Sequence, residues 1–351
     1  MSDTLVRPSA EAADKSRAAR LLGQALRSRE IAVFAVLVLL LVVATIANPR
    51  FLVGSDGWRD LLVTPSILLL LAVGQTAVII TRNVDLSVGS TVGLTAYAVG
   101  KIFVEFPGIP VVVVFVIGAL IGAVLGLING ALVAFGRVPA LVVTLGTMYI
   151  YRGVFLEWAG SDRINAGDLP GRFLSLGTKQ VLTIPVLTII ALVVLAVVGF
   201  YLRSMRSGRE FYAIGSDPAA ARLYGLPVTR RVLGAFILCG ALAGLAGVFY
   251  AARYGTVSSG AGRNLELESV AAAVIGGVAI FGGTGTVWGA GIGAFLLVTI
   301  DRVLPLLGIS DFWQRAVVGA LIIAAVALDR VLSLRRERQL KQARDEARNA
   351  S

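Results

Sequence analysis

Residues 109–136 read IPVVVVFVIGALIGAVLGLINGALVAFG, 28 consecutive positions without one charged side chain. A helix needs about 20 mostly apolar residues to cross the hydrocarbon layer of a bilayer. This run exceeds that and is apolar on every face, which water does not tolerate on a helix surface. Gly118, Gly122, Gly126 and Gly130 lie four apart and share one side of the helix. Lipid offers helices no hydrophobic reason to associate, so close contact across small residues has to supply the attraction. The stretch is therefore expected to be a membrane span with a glycine stripe for packing. Gly285, Gly289 and Gly293 repeat the spacing near the end of the chain.

The same reading extends outward in both directions. Ile31–Ala47, Leu61–Thr81, Val181–Leu202, Leu233–Ala252 and Gln314–Val331 are further apolar runs. Ser87–Val104, Ala140–Glu157, Ser269–Gly283 and Thr284–Ile300 are shorter or broken by glycine. With Ile109–Gly136 they predict an all-α, polytopic membrane protein of about ten transmembrane helices. Composition agrees: 57% of the 351 residues are hydrophobic and 15% charged, against about 45–50% and 25% in soluble domains. Mean hydropathy is +0.84. The first apolar run starts late and lacks a small-residue cleavage pattern, so it reads as an anchor rather than a signal peptide.

Charge placement orients the spans. The net charge of +11 is concentrated in three segments. Residues 1–30 carry six basic side chains, the loop 203–231 six and the tail 330–348 seven. With Arg82 and Arg137 that face holds 21 basic and 11 acidic residues, while the rest of the chain is nearly balanced. Cytoplasmic loops carry the Lys and Arg excess, so both termini are expected in the cytoplasm and the basic pI reflects topology rather than nucleic-acid binding. Residues 1–30 form a cytoplasmic or interfacial segment, with Ala18, Leu21, Leu22, Ala25 and Leu26 at amphipathic spacing. Residues 31–332 form the membrane domain, with a cytoplasmic loop at 203–232, and 333–351 a polar cytoplasmic tail.

The chain has no histidine and one cysteine, Cys239. Ser-His-Asp and Cys-His nucleophiles, HExxH zinc sites and histidine proton relays are excluded, as is an intrachain disulfide. No catalytic residue, metal or cofactor is expected. No G-x-x-x-x-G-K-[ST] phosphate cradle exists, so the chain carries no ATPase site of that type.

Two polar segments stand out. Arg82, Asn83 and Asp85 sit between apolar stretches with little room for a loop, and a charge near the membrane centre costs roughly 2.5–3.5 kcal/mol unless paired or hydrated. One reading is a cytoplasmic turn in which Asp85 or Ser87 caps the next helix. The other makes Arg82, Asn83, Asp85, Ser87 and Gly89 part of a gate or translocation path, with Arg82 and Asp85 as partners. The second segment lies in the loop 203–231: Ser216 or Asp217 as N-cap, Pro218 at the first helical position, then Ala219, Ala220, Ala221, Arg222, Leu223 and Tyr224, closed by Gly225 and Pro227. A short capped helix outside the membrane has the shape of a knob for a partner's groove.

This run, AAARLYG at 219–225, resembles the E-A-A-x-x-x-G coupling loop of ABC-importer permeases, with alanine at the family's glutamate position, so a contact through that glutamate is in doubt. NVDLSVGS at 83–90, Leu145-Gly146-Thr147, AVIGGVAIFGGTG at 273–285 and Phe312-Trp313-Gln314 are similar to the ribose/xylose/rhamnose branch of that family. Thr81-Arg82-Asn83 stands where the branch more usually has Thr-Gly-Gly, and RGVFLEWAG at 152–160 resembles permeases for rhamnose or the autoinducer-2 sugar derivative, with rhamnose favoured. The resemblance implies a sugar-importer permease in the bacterial inner membrane, with an ABC ATPase subunit, a periplasmic sugar-binding protein and a second, identical or similar permease chain as partners. It implies that Asp217, Pro218, Ala219, Ala220, Ala221, Arg222, Leu223 and Gly225 form the ATPase-coupling helix. Tyr97 and Tyr149 are candidate aromatic faces for sugar. The rival readings are a self-sufficient secondary transporter or channel and, disfavoured by the missing histidines, an intramembrane enzyme.

Overall fold

The computed structural model describes residues 29–53, 55–310 and isolated positions between 313 and 327. The expected amphipathic leader, the tail and most of the Gln314–Val331 span lie outside the described residues.

The described chain is a helical bundle. Its main helices are α1 (Arg29–Ala47), α2 (Ser55–Ile80), α3 (Val88–Glu105), α4 (Val111–Ala134), α5 (Ala140–Ala159), α6 (Val186–Ser204), α7 (Arg206–Ser216), α8 (Pro218–Leu223), α9 (Val228–Tyr254), α10 (Leu265–Ile275) and α11 (Val287–Leu306). Seven of them, α1, α2, α4, α5, α6, α9 and α11, are long and apolar enough to cross a membrane. A polytopic membrane protein is what these residues build.

The remaining expected spans take other forms. Ser87–Val104 is helical as α3, but Ser90, Thr91 and Thr95 face inward and nearly the whole helix is buried. Protein surrounds it rather than lipid, so it needs no apolar coat. Ser269–Gly283 does not form one span: α10 has 11 residues, about 16 Å of helix, and the chain from Gly276 to Thr286 is non-helical. Left-handed glycines at 277, 282, 283 and 285 explain the break. Val181–Leu202 starts as a helix only at Val186, because residues 180–185 form a small antiparallel hairpin pairing Val181 with Ile184.

α9 is the hub, packed against α4, α2 and α3. The glycine stripe of α4 is its buried side, while Val112, Val116, Leu120 and Val124 point outward as an apolar coat. The stripe meets Gly240 and Gly244 of α9 so closely that a Cβ on Gly122 would strike the Gly240 carbonyl, and a Cβ on Gly240 the Gly122 carbonyl. Gly289 and Gly293 make the same kind of contact with Gly276 and Ala272. Both stripes pack backbone on backbone.

The bundle has two chemically distinct ends. Arg82, Arg137, Arg203, Arg209 and Arg222 line clefts at one, the basic end. At the other, Asp60 pairs with Arg253 at 2.7 Å, Lys101 with Asp162 at 3.7 Å, and Val257 bridges to Ile164.

Candidate functional site

Two breaks in helical structure create the polar centre. After Ile80 the chain turns and runs back alongside α2 before α3 begins. Gln75 of α2 binds the backbone of Asp85 in both directions: its amide donates to the Asp85 carbonyl, and its carbonyl accepts from the Asp85 N–H at 3.4 Å. Gln75 lies five residues before the helix end, about 7.5 Å back along the axis. Asp85 is therefore inside the bundle, with 1% of its surface exposed. Irregular backbone at such depth persists only where protein buries it or a cavity hydrates it.

Asp85 holds the segment together. Its carboxylate accepts from the Ser87 N–H at 2.9 Å, the Ser87 hydroxyl at 2.7 Å and the Asn129 amide at 3.4 Å. Asn129, from α4, also donates to the Ser87 hydroxyl at 2.8 Å and accepts from Tyr151 of α5 at 3.3 Å. Thr144 of α5 donates to the Val84 carbonyl at 3.2 Å. The carboxylate thus joins the start of α3 to α4, the Asp85 backbone adds α2, and Asn129 and the Val84 carbonyl add α5. Of the two expected caps, Ser87 stands at the N-cap position of α3 without a side-chain capping bond, its oxygen accepting from Asn129 instead, while Asp85 accepts the Ser87 N–H. The expected Arg82–Asp85 pairing is also not made.

Arg82 points to the basic end. Its Nε donates to the Gly215 carbonyl at 2.5 Å and its Nη2 to the Ser216 carbonyl at 2.6 Å. These are the terminal carbonyls of α7, where cations are favoured by the helix dipole. Arg82 adopts a left-handed φ of 66°, a strained state for a non-glycine residue. Asn83 folds back locally onto Thr81, reaching its carbonyl at 2.9 Å. Gly89 lies against the loop before α10, where a Cβ would collide with the Gly262 carbonyl and the Glu266 carboxylate; it is a close-packing position.

The loop 203–231 is docked rather than extended. The sequence reading missed α7, whose Phe211 and Ile214 are buried at helical spacing. Glu210 pairs with Arg231 at 2.5 Å and with Arg206 at 3.3 Å. Gly215 lets α7 approach the end of α2, because a side chain there would meet the Ile80 carbonyl. That same carbonyl accepts from the Gly283 N–H at 2.9 Å, and Tyr212 donates to the Gly285 carbonyl at 3.1 Å. The two non-helical segments, 81–87 and 276–286, meet at α7. They lie within two stretches, 78–93 and 274–289, in which Val78, Ile79, Gly89 and Gly93 align without gaps with Val274, Ile275, Gly285 and Gly289, and each separates the end of one helix from the start of the next.

α8 follows as a projecting turn. Asp217, not Ser216, is the N-cap, accepting from the Ala219 N–H at 2.9 Å and the Ala220 N–H at 3.0 Å. Those two bonds, the Ala220 one foremost, hold its carboxyl below the usual range, with Arg82 contributing. Pro218 opens the helix, Ala221 is its buried contact, and Gly225 leaves it with a φ of 73°. The tip is Leu223 and Tyr224, 88% and 86% exposed. Tyr224 was not among the expected coupling residues, although a large aromatic just before the closing glycine was a signal for it. Beside α8 a cleft of about 600 Å³ is lined by Arg82, Arg137, Arg222, Pro139, Ile214 and Val232, among others.

Of the candidate sugar faces, Tyr97 is fully buried beneath Phe155 and Trp158, while Tyr149 is 68% exposed on the outer side of α5. Neither lines a cavity described here. Asn129, Tyr151 and Gln75 were also missed, although a lone amide in an apolar span is a signal in its own right.

These elements are those of a transport subunit, and residues 58–326 match the family described as Branched-chain amino acid transport system / permease component. The chain belongs to this family: it is the multi-pass inner-membrane permease component of an ABC importer, a transport subunit. Its relatives include the Autoinducer 2 import system permease protein LsrC of Enterobacter sp. (strain 638), 38% identical over 91% of this chain and 92% of that one. The protein of the same name from Klebsiella pneumoniae (strain ATCC 700721 / MGH 78578) is 39% identical with the same coverage. That of Escherichia coli (strain K12 / DH10B) is 34% identical over 90% of this chain and 91% of that one. These names carry autoinducer 2, and the expectation of rhamnose finds no support in them. No solved structure matches the chain.

Proposed function

We propose that this chain forms the membrane path of an ATP-driven importer for autoinducer 2 or a closely related small sugar. Its basic end lies in the cytoplasm, and its α8 turn seats an ATPase subunit. The observation that carries this reading is the α8 tip. Leu223 and Tyr224 stand exposed on a helix that Asp217 caps and Ala221 anchors. An apolar and an aromatic side chain held in water by a rigid mount make an anchor for a partner's pocket. The arginine surplus at the same end supports its cytoplasmic placement, and the relatives' names support the solute. Asp85, Ser87, Asn83 and Arg82 belong to the coupling route between the tip and the polar centre. A periplasmic binding protein delivers the solute to the opposite end, and a second permease chain completes the path. The test is co-purification and uptake. Deleting 217–225 should leave the chain in the membrane, abolish association with the ATPase and abolish autoinducer 2 uptake. Retained association would overturn the docking assignment, and uptake by vesicles lacking ATP would overturn the importer reading.

A further inference from the structure

At the end opposite the arginines a cavity of about 330 Å³ opens between α2, α9, α10 and α11. Three features set it apart from a packing defect. The first is backbone. α9 ends at the left-handed Gly255, and the chain then turns inward until Gly262, with φ 74°, presses on the Gly89 carbonyl at the start of α3. Non-helical backbone at this depth is tolerated where it is buried in protein or lines a water-filled cavity, and Gly260, Gly262 and Arg263 line this one.

The second is the mixture of side chains. Tyr250 and Tyr254, with ring centroids 4.6 Å apart at 49°, form an aromatic wall. Arg263, Arg302, Glu268 and Asp301 lie around it. Aromatic surface with a few convergent polar groups is the usual make-up of a small-molecule site. The third is charge balance. Two arginines and two carboxylates line the cavity, so an anion would face the carboxylates and a cation the arginines. A neutral ligand rich in hydroxyls can donate to Glu268 and Asp301 and accept from Arg263 and Arg302. The volume falls at the lower end of the roughly 300–1,000 Å³ of small-molecule sites, which suits one ring rather than an oligomer.

We infer that this cavity is a receiving site for a single neutral, polyhydroxylated ring, occupied before the solute enters the membrane path. The inference rests on the importer reading and names the solute class for it.

The test uses the complete transporter, permease with its ATPase and binding protein, in proteoliposomes. Cys239 is buried, so a cysteine placed in the cavity dominates labelling by a water-soluble maleimide. Thr64→Cys sits on the α2 wall. Gly260→Cys is the second variant, since an added Cβ there meets only the Ser258 hydroxyl at 3.7 Å. At about three times its dissociation constant, autoinducer 2 should slow labelling about fourfold, and glucose 6-phosphate should not. Tyr254→Ala combined with either cysteine should require roughly tenfold more solute for the same protection. Uptake at full rate with labelling of both cysteines unchanged at saturating solute would overturn the site. Equal protection by the phosphorylated sugar would overturn the neutral-ligand assignment. Absence of uptake by the unaltered transporter would overturn the importer reading instead.

Discussion

The guanidinium of Arg82 donates to the Gly215 carbonyl at 2.5 Å across 133 residues of chain. It ties the turn leading to the buried Asp85 to the helix that carries the projecting α8. The tie is made at a position with φ 66°, so its bonds offset a local strain of about 1–2 kcal/mol. Glycine would adopt this φ freely; arginine gives up that ease and links two segments.

Arg82→Gly separates these effects. Glycine removes the strain and the two bonds together, and hydrogen bonds to a charged donor contribute about 1.5–3 kcal/mol each at most, less where solvent reaches them. Against the strain of about 1–2 kcal/mol relieved, thermal stability should therefore fall modestly at most, while solute imported per ATP hydrolysed falls several-fold. Unchanged stoichiometry in proteoliposomes would show that the link carries no motion.

Asp85→Asn keeps an acceptor for the Ser87 N–H and should yield a folded chain with impaired uptake. Asp85→Leu leaves the Ser87 N–H and the Ser87 hydroxyl without their acceptor, at about 1–3 kcal/mol each, and should lose folded yield. Normal uptake by a fully folded Asp85→Asn variant would remove Asp85 from the coupling route.

Gly122→Leu and Gly240→Leu force side chains into opposing carbonyls of α4 and α9. Overpacking costs about 1–3 kcal/mol or more, and the backbone contact offers no flexible neighbour to yield. The melting temperature in detergent should drop for both. Gly146→Leu should be neutral by the same measurement, because nothing lies within 4 Å of a Cβ there.

Leu223→Arg with Tyr224→Arg should abolish ATPase co-purification without changing membrane insertion. The cap adds a pH signature. The Asp217 carboxyl is held below its usual range in the folded chain, so its contribution is present above the unfolded value of about 3.9. That contribution is lost as pH falls through the lower, folded value. Association should hold at neutral pH and weaken only in acid. Asp217→Asn, which caps without titrating, should flatten the acid limb, whereas Asp217→Ala should weaken association at every pH.

The capped α8 was legible because Asp, Pro and Gly act over four or five residues, and their order states where a helix starts and stops. Arg82 was legible as unusual, but its partner was not. Opposite charge suggested Asp85 three positions away, and the fold gave Arg82 two carbonyls that sequence does not mark as acceptors. α7 was passed over because Phe211 and Ile214, one i,i+3 pair in a basic loop, are a weak periodic signal until a bundle exists to bury them.

Membrane residence, the glycine stripes and the concentration of arginines were determined by the sequence alone, because hydropathy, side-chain size and charge act locally and need no partner to be read. Depth and partnership were decided only by tertiary structure. What Arg82 grips depends on two carbonyls more than a hundred residues away, and whether Asp85 sits at a rim or within depends on Gln75 and Asn129 of neighbouring helices. A backbone carbonyl looks the same in every residue type, so its availability is a property of the fold.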